Sequence, residues 1–189
     1  MPAPGEEVYS RAFDVQPGGS FNAACAMHRL RLNVGWACDF GNDLFSQFAL
    51  EAARKEGLDD SLFRLHARPL RRVTAAASFP EDRAFLSFAD PEPKFSAGLR
   101  AAVKARTKVA YFPGLLWGEF FWLTVPYLKA LGTKVVMDGN SQAETLENPR
   151  VRAAIGQVDV FCPNATEARA LTKADTTRDA LNALGELCP

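Results

Sequence analysis

Histidine is nearly missing from this chain: two among 189 residues, His28 and His66. That excludes a multi-histidine metal centre, and any nucleophile–histidine relay would have to use one of these two, both of which read as structural. The four cysteines, Cys25, Cys38, Cys162 and Cys188, are scattered and form no Cys-x-x-Cys pair. Such usage suits a reduced, cytoplasmic protein rather than a disulfide scaffold or a zinc module. Neither charge is in excess, with 22 basic residues against 22 acidic, so the electrostatic signature of nucleic-acid or anionic-membrane binding is missing. No apolar run approaches the ~20 residues of a membrane span, and the opening Met-Pro-Ala-Pro-Gly-Glu-Glu does not read as a secretory leader. No Walker A loop occurs, which removes P-loop kinases, and no Gly-x-Gly-x-x-Gly follows a strand, which leaves a dinucleotide-dependent enzyme only a third, weaker reading.

What is present is the alternation of an α/β protein. Residues 1–8 read as loop, and Tyr9–Val15 as a short edge strand. Pro17-Gly18-Gly19-Ser20 turns into a helix capped by Ser20, on which Ala23, Ala26, Met27 and Leu30 recur at i, i+3, i+4, i+7 as one buried face. His28 falls on the same helix. Asn33–Cys38 reads as a short buried strand. A second helix starts near Asp43, with Phe45, Phe48, Ala49 and Ala52 facing inward and Gly57 as its stop.

Residues 62–90 change character. His66 reads as part of a strand, and Arg72–Ser78 and Ala84–Phe88 are β-type segments about a turn at Pro80-Glu81-Asp82, a small antiparallel insertion. Helices at 96–105, 118–131, 141–147, 150–156, 164–172 and 177–187 then alternate with strands at 108–112, 133–138 and 158–162. Apolar strands separated by helices predict a parallel sheet covered on both faces. The expected organisation is one domain over 1–189.

Four segments can carry chemistry. Gly18-Gly19 before a helix lets backbone amides approach a ligand, with Asn22 able to donate and accept; the same residues also serve as a plain turn. Asp43, in Phe40-Gly41-Asn42-Asp43, sits in a loop at a strand's carboxyl end, where open α/β sheets bind ligands, and is equally an N-cap. Asp138, ending its strand before Gly139-Asn140, either faces that crevice or closes a turn. Asn164 and Glu167, in Pro163-Asn164-Ala165-Thr166-Glu167, have the spacing of a capping box and also of a phosphate-side pair holding water on magnesium.

In order and spacing these segments resemble the PfkB, ribokinase-like family of carbohydrate kinases over nearly the whole chain. The most specific stretch is Asp159-Val160-Phe161-Cys162-Pro163-Asn164-Ala165-Thr166-Glu167-Ala168, followed by Leu171-Thr172. The resemblance implies a ribokinase-like three-layer α/β/α sandwich with a mostly parallel sheet, and a β lid at 62–90 that also offers a homodimer contact. It implies transfer of the γ-phosphoryl group of ATP, with Mg²⁺, to a hydroxyl of a sugar or sugar-like acceptor. Gly18, Gly19, Asn22 and Asp43 then fall at the acceptor. Asn164, Glu167 and Asp138 fall at the nucleotide, Glu167 also serving the metal. The chain departs from the family where only Ser20 and Phe21 separate Gly19 from Asn22, where Asn42 replaces an Asp, where Ser46 replaces a Gly, and where Pro113-Gly114 stands where some members have a carboxylate.

The resemblance also implies a first strand carrying an acceptor-binding Asp and a later Gly-Ala-Gly-Asp turn with the general base. Neither is found in the 189 residues, so a partial domain is expected, with no catalytic residue to assign and no catalytic competence alone. A non-catalytic sugar- or nucleoside-binding regulator on the same scaffold is the alternative.

Overall fold

The computed structural model describes residues 5–79, 83–93, 96–140 and 144–188. Among them run α1 (Ser20–Arg29), β1 (Cys38–Phe40), α2 (Leu44–Lys55), β2 (Phe63–Leu65), β3 (Arg72–Ser78), β4 (Arg83–Ala89) and α3 (Ala97–Lys104). β5 (Val109–Phe112), α4 (Glu119–Ala130), β6 (Lys134–Asp138), α5 (Pro149–Ile155), β7 (Val160–Cys162), α6 (Ala165–Thr172) and α7 (Thr177–Gly185) complete the order. The chain divides into two compact units, Met1–Gly98 and Leu99–Pro189.

The first unit is built around an aromatic knot. Trp36 meets Phe21, Phe40 and Phe63 edge-on, with centroids 5.7, 5.8 and 5.2 Å away, the arrangement favoured by ring quadrupoles. β1 and β2 pair in parallel, Asp39 opposite Arg64. β3 and β4 form a separate antiparallel hairpin, Thr74 opposite Ser87. The strand expected at Asn33–Cys38 lies instead at Cys38–Phe40, because Trp36 turns into the knot before pairing begins. No strand forms at Tyr9–Val15, where Tyr9 and Phe13 are exposed. His66 follows β2 rather than lying in it. The turn expected at Pro80-Glu81-Asp82 lies outside the described residues.

Both helices of this unit are rotated by about one residue from the expected face. α1 buries Ala24 and Cys25 with Phe21 beside them, while Ala26 and Leu30 are exposed. α2 buries Ser46 and Ala53 with Ala49 and Leu50, while Phe45 and Phe48 look outward. The reason is tertiary. Phe21 is drawn to Trp36, and Ser46 is drawn to two polar partners described below. Ser20 is the first helical residue and Gly19 the N-cap, since the Ser20 hydroxyl accepts from Trp36 Nε1 at 3.1 Å. Gly57, with φ +73°, ends the second helix as expected.

The second unit is a parallel three-stranded sheet in the order β5-β6-β7. Val135 and Met137 point to one face and are fully buried against α4, α5, α6 and α7. On the other face Val109 and Val160 are about half exposed. Crossovers between neighbouring parallel strands are right-handed, so a strand order that only advances puts successive helices on one side. No helix spans 141–147: residues 144–147 are irregular and turn-like, 141–143 lie outside the described residues, and α5 starts afresh at Pro149 behind the Asn148 cap. Among the described residues no helix is long and apolar enough to cross a membrane.

Candidate functional site

In the first unit, Gly19 has φ 57° and ψ −128°, a conformation open essentially to glycine alone. A Cβ at Gly18 or Gly19 would meet nothing within 4 Å. Conformation, not crowding, therefore demands glycine at position 19, and the backbone entering α1 stays open to a small molecule. Asn22 is exposed on the first turn.

Asp43 is tightly engaged. Its Oδ1 accepts from the amides of Phe45 and Ser46, and its Oδ2 accepts from the Ser46 hydroxyl and the Leu70 amide, all between 2.9 and 3.1 Å. Burial pushes this carboxyl up, but the amides of Leu70 and Ser46 and the Ser46 hydroxyl outweigh it and leave the pKa lowered. Ser46 also accepts from the Gly41 amide at 2.8 Å. A Cβ on Gly41 would collide with the Leu70 amide, Asp43 and the Arg68 carbonyl. Asn42 bonds to Arg68 and Ala67. The Gly41–Asp43 turn is thus fastened to residues 67–70, which lead into the hairpin.

One pair escaped the sequence reading. Asp39 Oδ1 lies 2.6 Å from His66 Nε2, and Asp39 Oδ2 accepts from the Ala97 amide at 2.6 Å. A lone Asp in a three-residue strand, 27 positions from its histidine, gives no local signal.

In the second unit the candidate residues gather at the carboxyl ends of β6 and β7. Asp138 accepts from Tyr111 Oη at 2.8 Å and from the Gly139 amide at 2.9 Å. Gly139 passes so close to the next turn that a Cβ there would lie 2.5 Å from Glu167 Oε2 and 2.8 Å from Pro163 Cα. Asn164 and Glu167 form a full capping box: Asn164 Oδ1 accepts from the Glu167 amide, and Glu167 Oε2 from the Asn164 amide, both at 2.9 Å. The structure therefore brings Asp138, Asn164 and Glu167 together. Tyr111, on β5, joins them unforeseen; burial, then its bond to Asp138, pushes its phenol up to about 12. Asn140 receives the Leu115 amide at 3.0 Å and packs against Gly114.

No cluster of three or more His, Cys, Asp or Glu side chains fit to hold a bare metal ion occurs among the described residues. Two carboxylates beside a helix N-terminus instead suit a magnesium ion that arrives with phosphates and keeps most of its water. At the opposite ends of β6 and β7 an open hollow is lined by Lys129, Lys134 and Asp159. Its lysines are already held, Lys134 by Asp159 and Lys129 by the Gln157 carbonyl.

The carboxyl ends of parallel strands are where open α/β sheets bind ligands, and polar groups collect there in this chain. Solved structures share the fold. A PfkB protein from Polaromonas sp. JS666 matches with 19% identity and a TM-score of 0.65, covering 89% of this chain and 62% of its own. A fructokinase from Xylella fastidiosa with bound ATP matches at 18% and 0.65, over 90% and 57%. A fructokinase from Vibrio cholerae O395 binding fructose, ADP and a calcium ion matches at 18% and 0.68, over 90% and 59%. The chain thus spans about three fifths of the length of these structures. The fold is ribokinase-like α/β. The model of the pfkB family carbohydrate kinases matches residues 2–188, and the chain belongs to that family. No curated protein matches the sequence.

Proposed function

We propose that this chain serves a cytoplasmic, ATP-dependent sugar kinase, forming one kinase domain over 1–189 with 62–90 as its lid. The nucleotide end is Asp138, Asn164 and Glu167; the acceptor end is Gly18, Gly19, Asn22 and Asp43. The observation that carries this reading is the approach of Gly139 to Glu167, which gathers two carboxylates and a helix N-terminus at one strand edge. Phosphoryl transfer depends on positioning and charge stabilisation, and these groups supply both for a phosphate chain. Mg²⁺ would neutralise charge on the phosphates, with Glu167 and Asp138 holding its water ligands. The helix amides after Asn164 favour the anionic end of the nucleotide. Asp43, with its lone pairs largely committed, contributes to the acceptor end by fixing the Gly41–Asp43 turn against residues 67–70. The fructokinase neighbours make a ketose such as fructose the first acceptor to try. The lid is also the surface through which a homodimer would form.

Glu167 separates a ligand role from a purely structural one. Glutamine keeps a capping box intact but removes the charge that holds a hydrated metal. Titration calorimetry of Glu167→Gln should show Mg-ATP affinity falling by about tenfold or more, the loss of one charge-assisted contact, with the melting temperature unchanged. Unaltered Mg-ATP affinity would reduce Glu167 to a helix cap.

A further inference from the structure

Among the described residues the β3–β4 hairpin pairs only with itself, and Phe85, Leu86 and Phe88 are each more than half exposed. A lone hairpin is marginal, and with so little apolar surface buried, packing does not fix its direction. Its two legs must. The incoming leg runs from His66 to Arg71; the outgoing leg leaves at Asp90, and α3 begins at Ala97. They are tied to each other by Arg71 with Asp90 and by Arg68 Nη2 donating to the Pro91 carbonyl at 3.0 Å. Asp39 ties both legs to β1. One carboxylate oxygen takes His66 at the start of the incoming leg, the other takes the Ala97 amide at the end of the outgoing leg. An ionised carboxylate only accepts, so His66 Nε2 carries the proton. Both side chains are largely buried, at 15% and 12% exposure for Asp39 and His66, where such bonds are strongest.

We propose that Asp39 is a positioning residue: a staple that holds both legs of the hairpin in register and so sets how the lid meets the acceptor. The proposal rests on reading the hairpin as that lid. Alanine at 39 offers no acceptor where two donors converge, so both legs must let go.

Hydrogen exchange of Asp39→Ala in the full chain reads this directly. The Ala97 amide should exchange about tenfold faster, as expected for one charge-assisted bond lost, while amides paired between β3 and β4 keep their rates. An unchanged Ala97 rate overturns the staple. If Asp39→Ala unfolds the first unit, amides of α2 accelerate as well, and His66→Phe, which has no donor, decides instead. Non-cysteine spin labels at Gln47 and Leu86 should then show a broader distance distribution than in the unsubstituted chain, and an unchanged one overturns the proposal. Calorimetry with D-fructose in the presence of Mg-ADP tests the lid separately. Weaker fructose binding with Mg-ADP affinity retained supports the positioning role. A loosened staple with fructose affinity intact refutes it, and an unsubstituted chain that ignores fructose refutes the acceptor reading while Ala97 still judges the staple.

Discussion

The phenol of Tyr111 donates to Asp138 Oδ2 at 2.8 Å, joining the end of β5 to the end of β6 where the candidate nucleotide residues gather. Burial and this bond raise the Tyr111 pKa from 10.0 to about 12. A group whose folded pKa is raised adds stability that is complete below its unfolded value and lost above the folded one, here between about pH 10 and 12. Absorbance titration of tyrosinate should show one of the three tyrosines ionising near 12. In Asp138→Asn that midpoint should fall part of the way to 10, because burial, the larger cause, remains. A midpoint unmoved by the substitution would break the link.

Gly139→Ala should be costly although the substitution is small. The added methyl group meets Glu167 and the Pro163 backbone, and only the Glu167 side chain is free to swing away. Overpacking of this kind costs about 1–3 kcal/mol. Chemical denaturation should show that loss, and Mg-ATP affinity should fall with it. Full stability together with native Mg-ATP affinity would mean the two turns are not in contact.

Asp90 should titrate far below other carboxylates. Its bond to the Arg71 side chain, with the Arg71 amide assisting, lowers it from 3.8 to about 2. A depressed carboxylate stabilises above its unfolded pKa and loses that contribution as pH falls through the folded one, so the base of the hairpin should loosen between about pH 4 and 2. Carboxyl carbon NMR should place the midpoint near 2, and Arg71→Gln should return it toward 3.8. A midpoint near 3.8 in the unsubstituted chain would show that the clamp does not form.

The four thiols should differ sharply. Burial pushes Cys38 up to about 12 and raises Cys25 and Cys188 as well, whereas Cys162 is exposed at the end of β7. Reaction with a disulfide reagent at pH 8 should modify Cys162 first. Mg-ATP should slow that step, because Pro163-Asn164 follows directly. Fast modification of Cys38, or no protection of Cys162, would count against this arrangement.

Apart from the helix expected at 141–147, the second unit was legible from residues 108–188 because its signals are local. Lys-Val-Val-Met-Asp and the Asn164 and Glu167 spacing each encode an element within one turn or strand, and each appears within about two residues of its expected place. The first unit was legible only in outline. On α1 and α2 two helical faces compete, and the one carrying Leu30 or Phe45 and Phe48 is the more apolar by composition. The buried face was chosen by distant residues, Trp36 for Phe21 and Gly41 with Asp43 for Ser46. The Asp39–His66 contact and the Tyr111–Asp138 bond, each between residues 27 positions apart, left no trace in any window of sequence.

By itself the sequence determined the helices and strands between residues 97 and 140 and between 149 and 185, and that Gly57 ends a helix, since these follow from short-range sterics and hydrogen bonding. Only the tertiary structure decided which helix faces are buried and which carboxylates share a partner, because those depend on groups far apart in the chain competing for the same few donors and the same apolar contact.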